Sequence, residues 1–250
     1  MADPRTTAVQ VKTPIGQYGG GFMLSREAKT RCEEHGLGPR EFYFRGRCGV
    51  LGECEADVVT SVAVFFPAAH VEESWYGGRK LSVERAVEIY AEACQEWGRR
   101  RLGDFDGCAR LAELLETVVA QAPAAGAPLF AGWRAVPLPD DPPARATQLM
   151  HVLRELRGAL HANAVIAAGL HPLEAILAAE HDAPFGHTSG EAMAQFFTWP
   201  APYEKPGPDV VAKRTAVEDT TDDLLASVFS VLNNDESDEL IELLRFGHGH

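Results

Sequence analysis

Residues 153–179, LRELRGALHANAVIAAGLHPLEAILAA, read as a long helix, a Gly169-Leu170 turn and a second helix opened by Pro172. Proline suits the first position of a helix, where its missing N–H would have no partner, and glycine suits the residue just past the end of one. The outline is a helix-turn-helix. It leaves two uses open: reading DNA, or framing a site for a small molecule.

At 100° per residue, Leu149, Leu153, Leu156 and Leu160 fall in a stripe of about 60°, a core face. His151, Arg154, Glu155, Gly158 and His161 occupy the other side over roughly 120°. A solvated face with an Arg–Glu surface pair is one reading. Two features oppose it. Gly158 sits mid-helix, where it costs about 1 kcal/mol relative to alanine and leaves room for a ligand or a crossing helix. Ala162, Ala164, Val165, Ile166 and Ala167 are apolar all round, which suits a helix buried on more than one side. Buried polar groups need partners, so Arg154, Glu155 and His161 either pair with each other or face a polar ligand. His151 and Glu155 have the i, i+4 spacing of a chelating pair, but no third ligand is evident and no metal is expected. The ten-residue recurrence of His151, His161, His171 and His181 matches no helix face.

Outward from this stretch the chain reads as mainly α. Residues 1–24 are expected to be an N-terminal arm, mobile through Tyr18-Gly19-Gly20-Gly21. Ser25 caps a short helix stopped by Gly36. Residues 40–52, REFYFRGRCGVLG, are helix or loop; residues 56–70, ADVVTSVAVFFPAAH, are a buried strand or a buried helix, which periodicity alone does not decide. From Ser82, Val83, Ala86, Val87, Tyr90, Ala91 and Cys94 follow helical spacing, and a second helix runs from about Cys108 to Ala122. Residues 123–143 hold six of the sixteen prolines and predict an extended connector whose Leu129, Phe130 and Trp133 seek burial. Thr188 with Glu191 suggests a capping box. Asp209 to Leu232 and Asp235 to Arg245 predict two closing helices. The expected division is an arm (1–24), an N-terminal helical half (25–143) and a C-terminal half carrying the helix-turn-helix (144–250), forming one compact unit. No internal repeat, dinucleotide fingerprint or phosphate loop is detected.

The bulk composition is that of a globular protein, with 46% hydrophobic and 24% charged residues. The formal charge of −13 disfavours phosphate backbones and anionic membrane surfaces, because nucleic-acid affinity depends on Lys and Arg displacing counterions. No apolar run is long enough to span a bilayer, and the N-terminus lacks a secretion signal's apolar core. Five cysteines, Cys32, Cys48, Cys54, Cys94 and Cys108, show no CxxC, which argues against a disulfide framework or zinc site. A reduced, cytoplasmic protein is expected.

Residues 128–176, from PLFAGWRAV to GLHPLEAI, resemble an actinobacterial helix-turn-helix-like family with PL-x-A, LREHRGDGH and GL-x-x-x-EA motifs. FYFRGRCGVLGECEADVVTSVAVFFPAAHVEESW (42–75) is similar to its F-x-GR-x-x-PLG and F-x-F-x-P segments. Residues 215–244 are similar to its closing helices and to those of MarR regulators. Arg154, Glu155, Arg157, Gly158 and His161 match LREHRGDGH; Arg47, Leu51 and Gly52 match GR-x-x-PLG. Leu156 and Ala159 replace the motif's first histidine and its aspartate. Tyr18-Gly19-Gly20 stands where the family has glutamate-proline-tyrosine-histidine. The usual wing is shortened to TWPAPYEKPGPDVV. The resemblance implies a helical domain with a degenerate, wing-shortened winged-helix-like core, transcription regulation by analogy of fold only, and a possible homodimer.

A DNA-reading helix would lie at about residues 190–198, over EAMAQFFTW, which offers only Gln195 to a base edge. The one basic run, Arg99-Arg100-Arg101, lies elsewhere. DNA is therefore not an expected partner, and a ligand-responsive DNA-binding regulator is the alternative. The favoured reading is a protein that binds a planar or acidic organic ligand, as an enzyme or a sequestering protein of specialised metabolism, with cofactor unknown. Tyr43, Arg45, Arg47, Cys48, Trp75, His151, Arg154 and Arg157 are the candidate ligand contacts, with arginines fixing an acidic group. His161 or His70 is the candidate acid–base group, with Glu155 orienting it or taking the proton. Cys48 beside Arg45 and Arg47 has the surroundings of a lowered-pKa thiol, though an inert buried cysteine is the favoured reading; His70 and Trp75 equally fit as core.

Overall fold

A computed structural model describes residues 2–179 and 189–247. Its helices, in chain order, are α1 (Pro4–Gly21), α2 (Arg26–Glu34), α3 (Pro39–Cys48), α4 (Ala56–Val62), α5 (Ala68–Gly77), α6 (Val83–Leu102), α7 (Cys108–Gln121), α8 (Pro128–Ala135), α9 (Pro142–Ala167), α10 (Pro172–Leu177), α11 (Gly190–Phe196), α12 (Pro208–Phe229) and α13 (Asn234–Gly247). No strand occurs among the described residues. The mainly α class is as the sequence predicts.

α9 is the central element. It packs against α1, α6, α7, α8 and α12, and Leu149, Met150, Val152, Leu153, Leu156 and Val165 are all buried. Its end follows from local chemistry. Gly169 adopts φ +67, and Leu170 N donates to Val165 O, a closure that uses glycine's freedom in the left-handed region. The next helix is opened by a capping box: Leu173 N donates to the His171 ring, and Glu174 reaches back to His171 N.

The expected mobile arm is instead a buried helix. Asp3 caps α1 by accepting from Thr6 N at 2.7 Å. Ala8, Val11, Ile15 and Tyr18 then form an inward stripe, sparse enough to be hidden in a polar sequence. The segment left open between strand and helix is helical, as α4, and Pro67 opens α5. Its β-branched residues favour strands in isolation; packing of α4 on α5 overrides that preference. The proline-rich connector holds α8, which buries Leu129, Phe130 and Trp133. The capping box expected at Thr188 lies outside the described residues; Ser189 caps α11 by accepting from Ala192 N.

Candidate functional site

Two buried polar centres flank the middle of α9. In the first, Arg47 of α3 donates to Glu155 of α9 through Nε (2.9 Å) and Nη2 (2.7 Å). Arg154 Nη1 adds a bond of 2.9 Å to Oε1. His151, one turn before Glu155, has Nδ1 3.0 Å from Gly19 O. A carbonyl only accepts, so Nδ1 carries the proton and Nε2 is a bare acceptor. That Nε2 is buried without a partner, and so is the hydroxyl of Tyr90 from α6. Phe22, Tyr90 and Trp133 box the imidazole at centroid distances of 5.3, 5.8 and 4.5 Å. Tyr43 lies 5.4 Å from the Arg47 guanidinium.

Electrostatics sets the protonation of this centre. Burial pushes the Glu155 carboxyl up, but the Arg47 and Arg154 charges reverse this and hold it at about 2. Burial pulls His151 down to about 4, against the opposing pull of Glu155, and raises Tyr90 well above the phenol range. At neutral pH the centre therefore holds two cations, one carboxylate, a neutral imidazole and a neutral phenol. Its net charge is positive inside an acidic protein.

The second centre joins α9 to α12. His161 Nδ1 is 3.1 Å from Thr221 Oγ1. That hydroxyl donates its own proton to Val217 O, so the ring nitrogen is the donor. Glu218 lies 3.9 Å from His161 and accepts from Arg157 (2.8 Å) and Arg214 (2.7 Å). Phe65 stacks on the imidazole at 5.6 Å. Burial takes His161 down to about 4. It pushes Glu218 up, and Arg157 with His161 and Arg214 outweighs that to leave about 2.

The sequence-predicted residues thus divide among three places. Tyr43, Arg47, His151, Arg154 and Glu155 come together in the first centre. His161 and Arg157 belong to the second, so Glu155 does not orient His161: residues six apart on a helix diverge by about 120°, and the carboxylate beside His161 is Glu218. Arg45, Cys48, Trp75 and His70 lie in a separate core cluster. There Arg45 pairs with Glu53, donates to Leu81 O and lies 4.7 Å from the Trp75 ring. Burial pushes the Cys48 thiol up to about 12, the opposite of an activated nucleophile. His70 stacks on Phe66, and burial, then Arg40, lowers its pKa. Gly158 meets no crossing helix; a Cβ there has nothing within 4 Å. Sequence reasoning missed Phe22, Tyr90, Trp133, Thr221, Arg214 and Glu218. Arg214 and Glu218 were visible as an i, i+4 pair on α12, and Tyr90 lay inside a stripe that reads as plain core. No group of three His, Cys, Asp or Glu side chains among the described residues is placed to hold a metal ion.

α10 and α11 follow the first helix of the stretch quoted at the outset. α11 exposes Glu191 and Gln195 and buries Met193 and Ala194 against Ile176 of α10. The short wing segment folds back rather than extending: Trp199 Nε1 donates to Phe65 O at 2.9 Å, and Tyr203 OH to Trp199 O. In the basic run, Arg99 pairs with Asp141 and Arg100 with Glu27. No helix among the described residues is long and apolar enough to cross a membrane.

An all-helical frame with a capped helix pair after a long central helix defines a helix-turn-helix class of protein. The chain matches the helix-turn-helix family over residues 8–246 and belongs to it. No curated protein and no solved structure matches the chain. The family membership overturns the expectation, drawn from the acidic charge and the cation-poor reading helix, that DNA is to be discounted as a partner. Net charge speaks to the strength of phosphate attraction, not to which surface a helix-turn-helix presents.

Proposed function

We propose that the protein is a MarR-like, ligand-responsive transcriptional regulator that binds DNA through the α10–α11 unit. The observation that carries this reading is the family match, which spans nearly the whole chain and includes that unit. Gln195, exposed on α11, is the side chain suited to an adenine edge. Lys205 and Lys213, exposed beyond it, supply phosphate contacts. With so few free cations, affinity rests on base edges and shape more than on counterion release.

The effector site is the first polar centre. Two arginines, a bare imidazole nitrogen and an unpartnered phenol inside an aromatic box suit a planar organic acid: its anionic group meets Arg47 or Arg154, and a donor group meets His151 Nε2. α9, which carries His151, Arg154 and Glu155, runs directly into α10, and this continuity is the route by which occupancy reaches DNA.

The test is a mobility-shift assay with duplexes selected by the protein from a random pool, at two salt concentrations. Two or three phosphate contacts predict a loss of roughly ten- to fortyfold in affinity between about 50 and 200 mM salt. Failure to select any duplex at the lower salt overturns the reading.

A further inference from the structure

We infer that the chain is an internal pseudo-dimer, in which α4–α5 is a second helix-turn-helix unit and a single chain is the complete DNA-binding entity. The DNA part of this inference rests on the function proposed above; the pseudo-dimer does not.

Element order carries the first argument. In each half a short helix pair (α4–α5, α10–α11) leads into a long helix and a shorter one. α6 and α7 have 20 and 14 residues; α12 and α13 have 22 and 14. Packing carries the second. α1 packs on α12 and α13, while α9 packs on α6 and α7; α3 packs on α6, and α9 on α12. These are the exchanged contacts of a two-fold. The self-paired contacts of a two-fold are present too: α1 with α9, and α7 with α13. α9 then corresponds to α1 and α3 run together, which explains its 26 residues. The shared Arg-Gly at Arg45-Gly46 and Arg157-Gly158 aligns α3 with the later part of α9.

The two polar centres are alike in composition but are not images of each other, since the alignment of Arg45 with Arg157 sets His161 against Gly49 and Glu155 against Tyr43. One is built between α3, α6 and α9, the other between α9 and α12 beside α1. Each holds one histidine 3.9 Å from one glutamate that two arginines bind. The repeat escaped detection in the sequence because α2 is inserted in the first half only and the α10–α11 connection is longer than the five residues joining α4 to α5.

The two units adjoin. Phe66 meets Phe197 at 4.7 Å, Trp199 bonds Phe65 O, and Arg40 donates to Phe196 O. One chain therefore offers a continuous surface, where dimeric helix-turn-helix proteins offer half-sites one helical turn apart. On α5 that surface is Ala68, Ala69, Glu72 and Glu73, all exposed, followed by exposed Arg79 and Lys80. Alanine suits a thymine methyl and glutamate a cytosine amino group; Arg79 and Lys80, paired with Glu53 and Glu41, reach phosphates by exchanging those partners.

Sedimentation velocity of the full chain, alone, at micromolar concentration is the first test. The expected mass is that of one chain, 27.1 kDa; a stable dimer overturns the pseudo-dimer. The second test compares Ala69→Glu, Gln195→Glu and, as a surface control on α12, Ser227→Glu on the selected duplex, each checked for unchanged melting temperature. The first two are expected to weaken binding about tenfold or more, and the control to leave it unchanged. A loss with Gln195→Glu but none with Ala69→Glu removes the second unit and leaves the proposed function standing. Failure of the wild type to select DNA removes the proposed function together with the DNA role of α5, and the sedimentation mass then decides the pseudo-dimer by itself.

Discussion

Arg47 and Glu155, 108 residues apart in the chain, form a two-bond ion pair in which the carboxylate is fully buried and the guanidinium nearly so. It ties α3 of the first half to the central helix. Breaking such a pair from one side strands a charge in a low-dielectric interior, which costs about 3–5 kcal/mol, whereas replacing both partners by apolar groups is often neutral. Glu155→Leu and Arg47→Met are each expected to lower unfolding free energy by that order. The double variant is expected to lose less than either single one. Urea denaturation of the three variants checks this, and additive losses would contradict it.

Acid should unfold the protein in two stages, and the signs follow from the shifts. His151 and His161 sit at about 4 when folded, below their ordinary 6.5. Unfolded chains then bind more protons than folded ones between those values. Their contribution is complete above 6.5 and is lost as pH falls toward 4. For His151 the displacement corresponds to roughly 3 kcal/mol. Glu155, held at about 2, keeps its contribution above 4.5 and loses it as pH falls toward 2. Unfolding free energy measured from pH 7.5 to 4.5 is expected to decline below pH 6.5, and His151→Phe to flatten that decline. A profile level down to pH 5 would refute the neutral, buried imidazoles.

Tyr90 separates binding from stability. Its hydroxyl is buried without a partner, and an unsatisfied buried polar group costs on the order of 1–3 kcal/mol. Tyr90→Phe is therefore expected to hold or raise the melting temperature while weakening the response of DNA binding to aromatic acids such as benzoate. A fall in melting temperature would mean that the hydroxyl is bonded in the folded protein.

The helical class and most of the long helices were legible because their apolar residues recur at three-to-four spacing, as at Leu111, Leu114, Leu115, Val118 and Val119. α1 was not, because its inward stripe of Ala8, Val11, Ile15 and Tyr18 is broken by buried polar, proline and glycine residues that carry little periodic signal. The α9 members of the first centre, His151, Arg154 and Glu155, were found as polar residues on a helix with apolar flanks. Their grouping was only half legible: His161 shares a helix with Glu155 but faces another neighbour, and that neighbour, Glu218, comes from 57 residues further along the chain. Arg45 and Cys48 looked functional beside Arg47, yet they stand about 160° and 100° round α3 from it, where Cys48 joins a different core cluster and Arg45 lies over that cluster's Trp75. DNA was discounted from overall charge and from a reading helix that offers only Gln195, and neither the whole surface's charge nor a count of base-reading side chains reports which helix pair the fold presents.

Two helical glycines, Gly158 and Gly19, should respond oppositely to alanine. Gly158 is exposed in the middle of α9, with nothing within 4 Å of a built Cβ. Gly158→Ala removes a helix-propensity cost and is expected to stabilise by about 1 kcal/mol. Gly19 is where α1 crosses α9: a Cβ there would stand 2.5 Å from Met150 O and 2.8 Å from His151 N, both backbone atoms that a rotamer change does not move. Gly19→Ala must push the helices apart, at a cost of about 1–3 kcal/mol or more, and should also disturb the bond from His151 to Gly19 O. Thermal denaturation gives both signs, and the His151 proton resonance reports the second effect. Stabilisation by both substitutions would mean that α1 does not lie against α9 at this crossing, and the box around His151 would fall with it.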